Sequence, residues 1–229
     1  MIALIRFQLA GYLRSMRFLP PLIVAVLLVL LVFGQWPSGP DRIKLATGTL
    51  GDAAAFMVPL SAWTSRSLLD TQPTVQRWIT LLAVRQSAIA GLLAAFTAST
   101  VLGLILFAAP LLQALTIGVP AATTAAAALL VPLACAAGTL IGAWTSRAII
   151  PGAGASLLTL LAILTASLLL GLGRLSFLAI PYLDWIKAAH NGPSNLQSSL
   201  PAVLLHLFLW CAAAATGYLL TLHRQTTPT

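Results

Sequence analysis

The chain has 229 residues, is 59% hydrophobic, and carries a formal charge of +8 from 12 Lys/Arg against four Asp, with no glutamate at all. Such apolarity points to a bilayer, and the scarcity of acids removes most catalytic equipment: glycosidase carboxylate pairs, zinc-hydrolase bases and nucleotidase magnesium sites all need Asp or Glu. In a soluble protein the basic excess would suggest nucleic acid, but these charges lie between apolar stretches, so no nucleic-acid partner is expected.

Residues 1–18 come first. At 100° per residue, Ile2, Ile5, Leu9, Tyr12, Leu13 and Met16 share one face, and Arg6, Arg14 and Arg17 cluster on its flank. This reads as a basic amphipathic helix in the membrane interface, ending at Pro20-Pro21. Anchoring by its arginines and docking of a cytoplasmic partner both fit it. Three arginines before the first apolar run, and no small-residue cleavage site after Trp36, argue against a cleavable signal peptide.

Residues 19–229 read as one membrane domain. Apolar stretches at 19–36, 45–63, 88–107, 119–143, 149–172 and 200–222 each approach the roughly 20 residues that cross a ~30 Å hydrocarbon core. They lack the two-residue alternation of barrel strands, which leaves helices. The expected fold class is therefore an all-α membrane protein of six transmembrane helices. With the N-terminus inside, eight basic residues fall on the cytoplasmic side (Arg6, Arg14, Arg17, Arg66, Arg77, Arg85, Arg147 and Arg224) and four outside (Arg42, Lys44, Arg174 and Lys187). That bias puts both termini of this multi-pass protein in the cytoplasm. Trp36, Trp63 and Trp144 stand at span ends, as an aromatic belt requires, and Ala-Trp-Thr-Ser-Arg occurs at both 62–66 and 143–147. Shared interface chemistry explains that repetition more simply than a duplicated half.

Two connections are unusually rich. The cytoplasmic link 64–87 opens Thr-Ser-Arg-Ser-Leu-Leu-Asp, breaks at Pro73, and resumes with Val75, Trp78, Ile79 and Leu82 at helical spacing. It predicts a knob of two short helices with an exposed Leu68-Leu69-Asp70 corner, a form suited to partner contact. The outer connection 173–199 is apolar to Ile186 but too interrupted for two further spans. Re-entrant helices or a surface amphipathic helix both suit it.

Chemistry within the spans is thin. Neither Lys44 nor Lys187 stands in a phosphate-binding loop, so no ATP site is expected in this chain. Ser156 and His206 raise the idea of an intramembrane serine protease, but Gly154-Ala155-Ser156-Leu157 lacks the glycine that such a turn needs after its serine. His190, His206 and His223 are too scattered for a metal, and Cys135 and Cys211 read as packing. Asp52 lies inside the second stretch. It either snorkels outward or pairs with Arg42 or Lys44, or else lines a cavity for a cationic substrate. Pro59, Pro110, Pro120 and Pro132 suggest bends.

An interfacial helix, six spans, a knob after the second and a re-entrant segment before the sixth resemble the membrane subunits of type-2 ABC exporters, as does the string from Trp63 to Asp70. The resemblance implies that 1–18 is a connecting helix, that 65–77 is the coupling helix, and that 173–199 is the outer re-entrant pair. It also implies a cytoplasmic ATPase partner that holds the ATP and magnesium, and a second permease copy or a similar chain. Coupling would fall on Arg66, Leu68, Leu69 and Asp70, with Arg147 as a lesser contact. Small residues at 53–55 and 152–155 would allow close approach of helices between copies. The cargo would be a hydrophobic or amphipathic antibiotic, peptide or lipid. The reading from a different class is a non-transporting assembly or immunity factor that binds a partner in the membrane.

Overall fold

Runs of Ala, Leu, Val and Ile without strand alternation satisfy their backbone away from water by coiling into helices, and helices account for most of the described residues. The computed structural model describes residues 1–72 and 87–226. In chain order the helices are α1 (Ile2–Arg14), α2 (Leu19–Leu31), α3 (Arg42–Leu69), α4 (Ser87–Ile117), α5 (Ala121–Trp144), α6 (Ala153–Gly171), α7 (Tyr182–His190) and α8 (Pro193–Thr226). A 3₁₀ turn at Ser176–Leu178 precedes α7, and no strand occurs among the described residues. Helices α4, α5, α6 and α8 are each long and apolar enough to cross a membrane, and the bent pair α1–α2 would make a fifth span if taken as one. The chain is thus a helical protein of membrane type.

The centre of the bundle is α3, which packs chiefly on α5 and α4. Its charged residues (Arg42, Lys44, Asp52 and Arg66) set it apart from α4, α5 and α6, which carry none, and the bundle buries most of its length. Close packing rests on glycine. A Cβ at Gly138 would meet the Val58 carbonyl and come within 2.7 Å of Ser61 Cβ; one at Gly142 would meet the Ala62 carbonyl and lie 2.8 Å from Ser65 Cβ. This Gly-x-x-x-Gly stripe on α5 lets two backbones touch. In the same seam Ser65 Oγ lies 3.0 Å from Ser99 Oγ and donates to Thr139 Oγ1 at 3.2 Å. The three hydroxyls tie α3, α4 and α5 together where water is absent.

The first 33 residues depart from expectation in detail. Only Ile5, Leu9 and Tyr12 of the apolar face of α1 turn inward, against Leu68, Ala94 and Ala95, while Ile2, Leu13 and Met16 stay exposed. Burial pushes the Tyr12 phenol up from its ordinary value, partly offset by the hydrogen bond from Ser67. The chain then bends by 75° into α2 through Met16, whose φ of 55° is the left-handed conformation that few non-glycine residues adopt. Pro20 and Pro21 do not end α1. They lie in the first turn of α2, where a missing N–H costs nothing. The first predicted span, 19–36, is helical only to Leu31, and the buried Gln113 amide of α4 donates to the carbonyls of Phe33 and Gln35 beyond its end.

Expected small-residue contacts divide in two. Ala53 and Ala54 are fully buried inside this bundle, so they are not open to a second copy. Residues 152–155 are exposed, and a Cβ at Gly154 would meet nothing within 4 Å. Pro59, Pro110 and Pro132 lie inside α3, α4 and α5, whereas Pro120 caps the start of α5. Trp144 stands half-buried at the end of α5, where its indole donates to the Ala214 carbonyl at 3.0 Å and meets Tyr218 edge-on.

Candidate functional site

Two places gather the polar side chains: one at the end of the bundle that carries Arg66 and Arg147, and one deep in the opposite half.

At the first end α3 runs on through Thr64-Ser65-Arg66-Ser67-Leu68-Leu69, where the sequence suggested a link. Ser65, Arg66 and Ser67 each find a partner across the bundle, and so the helix continues. Ser65 joins the hydroxyl cluster, Ser67 donates to Tyr12 Oη at 3.2 Å, and Arg66 reaches across to α6. Its Nε donates to Ser156 Oγ at 2.6 Å and its Nη2 to the Ala153 carbonyl at 3.0 Å. Ser156, considered above as a nucleophile, is a fully buried bridge that donates in turn to the Thr145 carbonyl.

Asp70 follows at the C-cap of α3 and is buried. Its Oδ1 accepts the Arg147 backbone N–H at 2.8 Å, its Oδ2 lies 4.0 Å from Arg147 Nε, and its carbonyl accepts Arg17 Nη1 at 2.7 Å. One acid therefore joins the α1–α2 bend, the end of α3 and the α5–α6 link. The expected exposed Leu68-Leu69-Asp70 corner is corrected by this geometry. Leu68 is 3% exposed beneath α1, Leu69 is half-buried against Gly91, and Asp70 is enclosed by its hydrogen-bonding partners. Arg147 and Arg17 are exposed, as are Arg6 and Arg14 on α1. Pro73, Val75, Arg77, Trp78, Ile79, Leu82 and Arg85, the rest of the predicted knob, lie outside the described residues.

The second place begins with the connection after α6. Gln197 of α8 donates to Thr123 Oγ1 of α5, near the start of both helices, at 2.6 Å. Thirteen residues further along α8, Trp210 Nε1 donates to the Leu178 carbonyl at 3.1 Å. At 1.5 Å per residue, Trp210 stands about 20 Å along α8 from Gln197, and His206, which meets the neighbouring Phe177 carbonyl, about 14 Å. The segment thus lies beside the middle of α8 before α7 leads back toward its start. Non-helical backbone at such depth must be satisfied by protein, and His206 Nε2, 3.0 Å from the Phe177 carbonyl, supplies the second donor. His206 is a support for this turn, a role that its lone position in an apolar helix did not signal. His206→Phe and Trp210→Phe should each lower stability by about 1–3 kcal/mol through an orphaned carbonyl. Thermal unfolding in detergent would measure it, with a larger loss in the double variant.

Helix α7 returns along α3 with Trp185, Ala188 and Ala189 buried. A Cβ at Gly48 would stand 3.1 Å from the His190 ring, and one at Gly51 would collide with Ala189 Cβ, so both glycines make room for α7. Trp185 Nε1 donates to the Gly51 carbonyl at 3.3 Å. Gly192, at φ 109°, then turns the chain into α8. Asp52 neither snorkels nor pairs with Arg42 or Lys44: His190 Nε2 lies 2.9 and 3.1 Å from its two carboxylate oxygens. No spacing in the sequence joins residues 138 positions apart.

Below that pair, α3, α6 and α7 enclose a cleft of about 410 Å³ lined by Asp52, Phe56, Pro59, Leu164, Leu168, Ile186 and neighbouring residues. The cavity-lining alternative for Asp52 thus has a cavity to line. Among the described residues, no group of three or more His, Cys, Asp or Glu could hold a metal ion. In comparisons with protein-family models, curated proteins and solved structures, nothing matches this chain.

Proposed function

We propose that this chain is the membrane permease subunit of an ATP-driven exporter of the type-2 ABC kind, inert by itself and driven by a separate cytoplasmic ATPase that binds ATP and magnesium. The observation that carries the reading is the ordered layout. An amphipathic helix lies beneath the ends of α3 and α4, a sharp bend leads into the next helix, and a segment re-enters to mid-depth before the final helix. In this reading α2, α3, α4, α5, α6 and α8 are the six spans, with polar α3 shielded at the centre. The end bearing Arg17, Arg66, Asp70 and Arg147 faces the cytoplasm of a bacterial cell, and both termini lie there.

The hub around Asp70 gives a physical route for coupling. Arg17, Asp70 and Arg147 join three elements at one end, so a push on the α5–α6 link reaches α3, the helix that packs on the rest of the bundle. The exposed arginines, rather than buried Leu68, are then the groups available to a partner. A second copy completes the transport path, the two packing about a shared two-fold axis.

The test is whether a soluble P-loop ATPase is encoded beside this chain and co-purifies with it, followed by hydrolysis measurements with candidate cargo. A stable complex whose hydrolysis rises with cargo supports the permease. A chain that binds no ATPase, and instead co-purifies with another integral membrane protein, supports the assembly-factor or immunity-factor alternative.

A further inference from the structure

We propose that the cleft between α3, α6 and α7 binds a bulky organic cation with an apolar body, its charge set against Asp52. The inference deepens the permease reading, on which it rests for its biological sense, by giving the cargo a chemical class.

Three observations carry it. First, the cleft has the size and lining of a small-molecule site: about 410 Å³, walled by Phe56, Leu164, Leu168, Leu183 and Ile186. Second, its polar groups are acceptors or hydroxyls. Asp52 stands at the rim, Thr165 and Tyr182 line the wall, and no Lys or Arg does so among the described residues. Pro59 adds to this set. It has no N–H for the carbonyl four residues before it, so the Ala55 carbonyl lacks its helical hydrogen bond, and both residues line the cleft. Phe56 and Tyr182 present aromatic rings, which attract cations. An anion would meet the Asp52 carboxylate with no Lys or Arg in the lining to offset it.

Third, the carboxylate is held by a replaceable partner. The Asp52 side chain is 28% exposed, and the His190 side chain that faces it is 52% exposed at the end of short α7. A carboxylate this far into a span is costly to insert. A lipid tail or neutral guest would gain nothing from its presence, whereas a cation entering the cleft takes the place of His190 and gains the ion pair in a medium of low dielectric.

The probe is tetraphenylphosphonium, a permanent cation with an apolar shell; tetraphenylborate has the same shape and the opposite charge. Equilibrium dialysis against the purified full chain in detergent should show saturable phosphonium binding that tetraphenylborate does not displace. Asp52→Asn should weaken binding by about tenfold or more, as loss of a partly desolvated charge partner does. Leu168→Trp, which fills the cleft from α6, should do the same. His190→Ala separates a binding role from a structural clasp, because it breaks the pair but leaves the carboxylate, and it should bind the cation at least as well as the parent. Absence of saturable binding, parental binding by Asp52→Asn, displacement by tetraphenylborate, or equal loss in His190→Ala would each overturn the proposal. No ATPase is involved, so failure here leaves the permease reading standing, and failure to recruit an ATPase leaves this site standing.

Discussion

Gly142→Val is expected to prevent the chain from accumulating as folded protein. The first side-chain carbon added there points at the Ala62 carbonyl, with Ser65 Cβ 2.8 Å and the Arg66 nitrogen 2.9 Å away. Two of these atoms are backbone in the central helix, so no rotamer change relieves the clash. Only separation of α3 from α5 would do so. That separation would pull Ser65 of α3 from Thr139 of α5 and open the most extensive helix contact among the described residues. Overpacking of a core costs about 1–3 kcal/mol when side chains can yield, and a backbone collision on this seam should exceed that, a large share of the roughly 5–15 kcal/mol that holds a typical protein together. Gly138→Val should behave alike, because its Cβ faces the Val58 carbonyl. Gly154→Val is the control: it is also a helical glycine, but one with open space around it. Size-exclusion profiles of solubilised protein after graded heating would show early loss for the two α5 variants and a parental profile for the control. A folded, heat-resistant Gly142→Val would mean that α3 and α5 do not pack in this way.

What the sequence made legible follows from the physics that each signal reports. Hydropathy locates apolar stretches, and five of the six predicted stretches lie on α3, α4, α5, α6 and α8 with shifted ends. It cannot tell a helix facing lipid from one enclosed by its neighbours. That is why the central role of α3 was hidden: its Asp52, Ser65 and Arg66 lowered its apolarity because the bundle, not the lipid, surrounds them. The run Thr64-Ser65-Arg66-Ser67 looked like the start of a loop for the same reason. Polar residues end a helix in lipid only when nothing nearby satisfies them, and here Ser99, Thr139, Ser156 and Tyr12 do. The apolar spacing of 1–18 correctly marked an amphipathic helix. Spacing alone could not divide that face between protein (Ile5, Leu9 and Tyr12) and surroundings (Ile2, Leu13 and Met16). Asp52 stood out because acids are so rare, while its partner His190 and the roles of His206 and Trp210 depended on a re-entrant path that only tertiary structure displays.

Asp70→Ala should produce the second-largest loss, felt at both the stability and the proposed coupling of the chain. Among the four acids, Asp70 is the buried one, and it links the α5–α6 connection to the end of α3. Removing its carboxylate leaves the Arg147 N–H without its acceptor and deprives Arg66 of a favourable charge nearby. Loss of one partner from a buried pair costs about 3–5 kcal/mol. The Arg147 side chain is 43% exposed, so water recovers part of that, and about 2 kcal/mol is the expected cost. Asp70→Asn should cost less, because an amide oxygen still accepts the Arg147 N–H. The Asp70 carbonyl that receives Arg17 survives either change. Arg147→Ala should be mild by itself. The decisive comparison is the double variant. If Asp70 and Arg147 act as one unit, Asp70→Ala with Arg147→Ala should lose clearly less stability than the two single changes added together. Strict additivity would show that Asp70 acts through the Arg147 backbone N–H, which Arg147→Ala leaves in place, and parental unfolding of Asp70→Ala would overturn the route from the α5–α6 link to α3.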